Sequence, residues 1–265
     1  MTLVLDFCLR GPHDGPVSTF LVVLVGMAVG TTFGAFGAGG SAFATPALAL
    51  LGLPASIAVA SPLPAMLPAA FAGARQYHRA GLLDRRVATR ATLVGVPAVT
   101  AGAAMSRVVG GEALLVLSGV LLLGAGARMA WPTASKTMRH ADGVDDARTT
   151  RMLVLVAAAA FLTGLLANGG GFLLVPIFVL VVGLSTARAA GTSMVAVAAL
   201  VVPTLLVHWW LGDIDWTVAG AFALGVVPAS ILGARLGPRM PDAVARRVFG
   251  VVLVGFSLWF LVTRL

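Results

Sequence analysis

Apolar residues along this chain come in long unbroken runs rather than in amphipathic stripes. The runs cover roughly 17 to 36, 41 to 53, 56 to 73, 87 to 106 and 112 to 131. After a polar gap they resume at about 151 to 167, 171 to 184, 187 to 211, 216 to 236 and 243 to 263. A helix needs about 20 apolar residues to cross a hydrocarbon core of ~30 Å, and most of these runs supply them. The second run of each set is too short. A helix satisfies its own backbone groups in lipid, so every run is expected to be helical. The predicted fold is an all-α polytopic membrane protein with about eight full transmembrane helices plus two short, broken or re-entrant segments.

Composition agrees with that pattern. Of the 265 residues 59% are apolar and only 11% charged, which leaves no room for a soluble domain outside the bilayer. The first sixteen residues, MTLVLDFCLRGPHDGP, lack the basic start and apolar run of a cleavable signal, and are expected to stay as a short tail. Cys8 is the single cysteine and offers no internal disulfide or CxxC chemistry. The net charge of +8 sits in short loops rather than on one basic face, so it reads as a topology signal and argues against nucleic acid as a partner. All ten carboxylates fall in loops or at segment ends.

The two sets of runs match each other at an offset of 130 to 131 residues. Gly39, Gly40 and Pro46 fall on Gly169, Gly170 and Pro176, while Gly81 and Asp84 fall on Gly212 and Asp215. Pro97, Gly102, Gly119 and Gly124 fall on Pro228, Gly233, Gly250 and Gly255. Loop charge then relates the halves. RQYHRAGLLDRRVATR carries Arg75, Arg79, Arg85, Arg86 and Arg90, whereas its counterpart HWWLGDIDW has two aspartates and no basic residue. By the positive-inside rule these loops lie on opposite faces, so the halves are expected to be inverted-topology repeats, 17–131 and 151–263. The linker 132–150 is then cytoplasmic and both termini lie outside, in a cell (inner) membrane.

Inverted repeats that carry short, glycine-interrupted segments at matching places point to a secondary-transporter binding site near mid-membrane. GAGGSAFATP (37 to 46) and NGGGFLLVP (168 to 176) have that form. Glycines permit close backbone approach, and a restarting helix offers unpaired N–H groups, so a small anion is the natural guest. Alternatively the glycines serve helix packing alone, as small residues often do in membranes. Candidate binding residues are Gly39, Gly40, Ser41 and Thr45 in the first copy and Asn168, Gly169, Gly170 and Gly171 in the second. Thr192 and Ser193, matched by Ser61 and Pro62, would add hydroxyls, unless these bond back to their own helix. Gly191 and Ala60 are the small residues expected to let that helix approach the break. Arg188, one turn before Thr192, could attract an anion or anchor the helix end. His208 with Trp209 and Trp210 marks the outer interface and reads first as an anchor, with a proton role for His208 as the less favoured alternative.

No catalytic or metal-ligand constellation stands out, and the four histidines are scattered, so no enzyme activity and no cofactor are expected. The duplicated Gly-rich stretch ending in proline, followed by the AxGTS pattern at Ala189 to Ser193, resembles the TauE/SafE sulfite-exporter family, also called toluene-sulfonate uptake permeases. The likeness runs from about Val17 to Val262 and is weaker in the first copy, where GAGGS and ASP (60 to 62) stand at the motif positions. It implies secondary transport of sulfur-containing anions such as sulfite or organosulfonates. A negative membrane potential favours anion exit by ~2.3 kcal/mol per charge per 100 mV, which makes export the simpler direction. An anion channel, a carrier of other small organic anions and a non-transport membrane subunit are the alternatives. The expected partners are the lipid bilayer and a small anionic substrate, with a homo-oligomer left open.

Overall fold

A computed structural model describes residues 18–109, 111–130, 146–165 and 173–264, and among these every element is helical. In chain order they are α1 (Thr19–Phe36), a 3₁₀ segment (Gly37–Phe43), α2 (Ala44–Leu50), α3 (Ala55–Ala60), α4 (Leu63–Arg79), α5 (Arg85–Val109) and α6 (Gly111–Ala130). Then come α7 (Asp146–Leu165), α8 (Leu174–Ile177) running into a π turn (Phe178–Val182), α9 (Thr186–Leu211), α10 (Trp216–Leu236) and α11 (Asp242–Arg264). Six stretches among the described residues are long and apolar enough to cross a membrane: Thr19–Phe36, Ala55–Arg79, Arg85–Ser106, Thr186–Leu211, Trp216–Arg239 and Asp242–Phe260. The chain is a multi-pass helical membrane protein. Helix α7 begins at Asp146, inside the stretch read as linker.

The two short segments depart from regular α-helix. The 3₁₀ run Gly37–Phe43 is seven residues long, beyond the three or four that this geometry usually sustains, and the π turn Phe178–Val182 closes on Gly183 in the left-handed region. Hydropathy alone could not separate these windings, because a short all-apolar window has no polar face to report its period.

Lipid supplies no hydrophobic drive between helices, so close packing of small residues must hold them. Helix α1 presents Gly26, Gly30 and Gly34 every fourth residue to Gly225, Ala229 and Gly233 on α10. A Cβ on Gly34 would stand 2.1 Å from the Ser230 carbonyl oxygen, and one on Gly233 2.2 Å from that of Thr31. The backbones are in direct contact there. Helices α7 and α5 pair in the same way: a Cβ on Gly164 would stand 2.0 Å from the Val99 oxygen, and one on Gly102 2.0 Å from that of Phe161. Adding 130 to Gly34 and Thr31 gives Gly164 and Phe161, and subtracting 131 from Ser230 and Gly233 gives Val99 and Gly102. In both pairs, then, a helix from one half of the chain embraces one from the other half.

Candidate functional site

The first break lies where α1 stops. Gly37 adopts φ 71° and ψ −149°, a conformation open to glycine, and a Cβ there would meet Ala190 and Ser193 Oγ at 2.6 Å. Here α9 approaches the break, through Ala190 and Ser193. Gly191 does not make that approach; it admits the Leu82 carbonyl and the Tyr77 ring, since the next position along a helix points about 100° away. Ala60 likewise packs against Ile214 and Ala219 at the start of α10 rather than against the break.

Hydroxyls tie the halves together around this point. The Ala38 N–H donates to Ser193 Oγ (3.1 Å), whose own hydrogen goes to the Ala190 carbonyl (2.8 Å). Ser41 Oγ donates to the Ala38 carbonyl at 2.7 Å. The Asp84 N–H donates to Thr192 Oγ1 at 3.0 Å, and the Asp215 N–H donates to Ser61 Oγ, also at 3.0 Å. Under the 131-residue offset these last two bonds are counterparts, atom for atom. Each aspartate then caps the helix it precedes: Asp84 accepts from the Val87 N–H, and Asp215 from the N–H groups of Thr217 and Val218. Thr192 and Ser61 each accept one bond and keep a hydroxyl hydrogen to donate.

Thr45 differs from the other hydroxyls. It lies in the first turn of α2, is 0% exposed, and its Oγ1 has no hydrogen-bond partner among the described residues. Gly39 and Gly40 lie within the 3₁₀ segment just before it. Arg188 is half-buried one turn before Thr192, its N–H facing the Ser185 hydroxyl that caps α9 (3.4 Å). Asn168, Gly169, Gly170 and Gly171 lie outside the described residues. The structure thus gathers Ser41, Thr45, Ser193 and the first-copy glycines about one break, sets Thr192 on the adjoining turn of α9, and puts Ser61 at the other tie.

Sequence reasoning passed over Gly37, since its counterpart at the 130-residue offset is Ala167 and matching was the signal being followed. It also read Asp84 and Asp215 as a matched pair without seeing that they face the Thr192 and Ser61 hydroxyls. His208, read as an interfacial anchor, is 2% exposed and faces into the protein, while Trp209 and Trp210 are 59% and 88% exposed. Among the described residues no group of three His, Cys, Asp or Glu gathers that could hold a metal ion.

Residues 22–260 match the family model described as Sulfite exporter TauE/SafE. The chain belongs to the TauE/SafE family. Two curated relatives named "Probable membrane transporter protein" come from Xylella fastidiosa. The one from strain 9a5c is 30% identical over 249 residues, covering 90% of this chain and 94% of its own. The one from strain Temecula1 / ATCC 700964 is 28% identical over 247 residues, with the same coverage. No solved structure matches the chain. Membership in TauE/SafE agrees with the reading of a membrane transporter whose substrate is a small molecule.

Proposed function

We propose that this TauE/SafE protein is a secondary transporter, working as an exporter, of small sulfur-containing anions such as sulfite or organosulfonates, and is not an enzyme. The observation that carries this reading is the Thr45 hydroxyl. A buried hydroxyl left without a partner costs about 1–3 kcal/mol. Its presence beside a glycine break, inside an apolar bundle, is explained by a ligand that accepts hydrogen bonds. An oxyanion does so with every oxygen, and neutral donors such as Thr45 and the glycine N–H groups would hold it without trapping it as a lysine would. With only seven residues, α2 has a short dipole, so discrete donors matter more here than a helix end.

The matched glycine approaches and the matched Asp84–Thr192 and Asp215–Ser61 bonds support two inverted-topology repeats, 17–131 and 151–263. Counting α6 and α7 with the six candidate spans gives about eight crossings. Loop charge favours an inner membrane with residues 132–150 cytoplasmic and both termini outside. In this reading, one half moves against the other and exposes the anion site alternately to each face. Because the site's ties cross between halves, rearranging them is the natural gating step.

The test is a thermal-unfolding screen of the purified chain with sulfite, methanesulfonate and acetate, since a ligand of the native state raises apparent stability. Thr45→Val should leave the ligand-free protein as stable or about 1 kcal/mol more stable, because it removes an unpaired polar group, and should abolish the stabilisation by anions. A variant that keeps the full anion response sinks the site. Counterflow in proteoliposomes then separates carrier from channel, because a channel shows no trans-stimulation.

A further inference from the structure

The C-terminal end of α9 and the turn beyond it hold a part-buried titratable pair that the anion site does not use. His208 Nδ1 lies 3.1 Å from Asp213 Oδ2, with side chains 3% and 19% exposed. The pair is built on the turn that ends the helix: the Gly212 N–H bonds the Trp209 carbonyl and the Asp213 N–H bonds that of His208, with Gly212 at φ 74°. Turns of this kind commonly set an apolar residue beyond the glycine against one in the last helical turn. The first half does so, with Leu82 and Tyr77 at the matching positions and the same two backbone bonds. An ionisable pair in their place, at the end of a membrane span, is costly unless it is used.

Among the described residues, few other charges reach this end of the bundle. Asp215 is engaged as the cap of α10. Of the helices packed on α9, α4 keeps Arg75, His78 and Arg79 at its far end, and α5 keeps Arg85, Arg86 and Arg90 there, bringing only Arg107 to the near end. Arg188 is at the opposite end of α9 itself, as are Asp242, Arg246 and Arg247 of α11, which brings Arg264, its last residue, to the near end. The 3₁₀ segment, α1, α8 and the π turn carry no ionisable side chain.

We propose that His208 and Asp213 form a proton-binding site at the outer mouth, and that its occupancy is coupled to passage of the anion. The coupling rests on the transporter reading above; the proton site does not. With a neutral imidazole the pair carries one negative charge, from the Asp213 carboxylate. A proton taken up from water by the imidazole makes an imidazolium–carboxylate pair of zero net charge, and the last-turn carbonyls of α9 favour that cation. The pair's own negative charge is then cancelled, and with it that pair's repulsion of an anion. Loss of the proton to the outer solution restores it.

The test uses the full chain in lipid nanodiscs, with imidazole nitrogen shifts followed by NMR from pH 4.5 to 8.5. H208Q assigns the signal against His13, His78 and His140; if that variant fails to fold, a H13Q/H78Q/H140Q triple variant isolates it instead. The His208 midpoint should move by about one pH unit or more in D213N, which removes the neighbouring carboxylate. A midpoint that D213N leaves unmoved, or no titration in the range, overturns the proton site. Flux of methanesulfonate, whose charge is constant over this range, should rise several-fold on acidifying the outer side in wild type and stay flat in H208Q. Equal pH dependence in both overturns the coupling while a moved midpoint sustains the site. Absence of flux for every anion overturns the transporter reading and the coupling together, and the titration still decides the proton site.

Discussion

Tyr77 and His208 close the same turn in the two halves of the chain, and they do different things there. Each is followed four residues later by a glycine at positive φ, Gly81 and Gly212, and each receives the next N–H on its carbonyl, from Leu82 at 3.0 Å and Asp213 at 3.1 Å. The backbone is the same to within the precision of a hydrogen bond. The side chains are not. The Tyr77 hydroxyl donates to the carbonyls of Gly34 and Ala35 at the broken end of α1, while His208 turns to a carboxylate. Glycines, caps and backbone bonds repeat in the two halves, while the side chains carried on that shared shape diverge.

The strongest way to break that comparison is to attack the shared scaffold at matching points. Gly34→Val and Gly164→Val each drive a side chain into a carbonyl, of Ser230 and Val99 respectively, that belongs to a packed helix and cannot swing aside. Each should cost about 3 kcal/mol or more in thermal unfolding of the detergent-solubilised protein, at the upper end of overpacking effects. Gly124→Val, where nothing stands within 4 Å, is the control and should be near neutral. Tolerance of one substitution and not the other would show that the two helix pairs are not equivalent supports.

A smaller effect separates tie from ligand. Ser61→Ala and Thr192→Val leave the N–H groups of Asp215 and Asp84 without their acceptors, part-buried at helix starts. Each should lower stability by about 1–2 kcal/mol. If stability falls equally in both and anion binding falls only in Thr192→Val, then Thr192 both ties and binds while Ser61 only ties. Equal binding in both variants and wild type would confine both hydroxyls to holding the halves together.

Much of this was legible in the sequence because glycine, proline and capping aspartate are local signals with fixed offsets. The apolar runs anticipated the multi-pass helical character, of which six spans are found among the described residues, and the matching of Gly102 to Gly233 and Asp84 to Asp215 marked positions that make contacts across the chain. What these residues face was not legible. Nothing in the run from Thr19 to Phe36 says that its glycines meet α10, and nothing at Asp84 says that its N–H meets a hydroxyl 108 residues later. The exposure of His208 was misjudged for the same reason. Its neighbours are tryptophans typical of an interface, and only the helix rotation tells which of three adjacent side chains faces inward.

Tyr77→Phe is the mildest of these substitutions and the sharpest on the point of difference. Where α1 breaks, the Ala38 N–H that would have continued the helix to Gly34 goes to Ser193 instead, so the last carbonyls of α1 need another donor. One hydroxyl serves both, and a Cβ on Gly237 would stand 2.7 Å from its oxygen, so the bare glycine makes its room. Phenylalanine keeps the ring and its packing and loses only the donor, at about 1 kcal/mol. Neither carbonyl ionises, so the loss should be the same at pH 5 and at pH 8. A Tyr77→Phe penalty that varied across that range would show that this donor is coupled to an ionising neighbour such as His78, and the two turns would then differ only in degree.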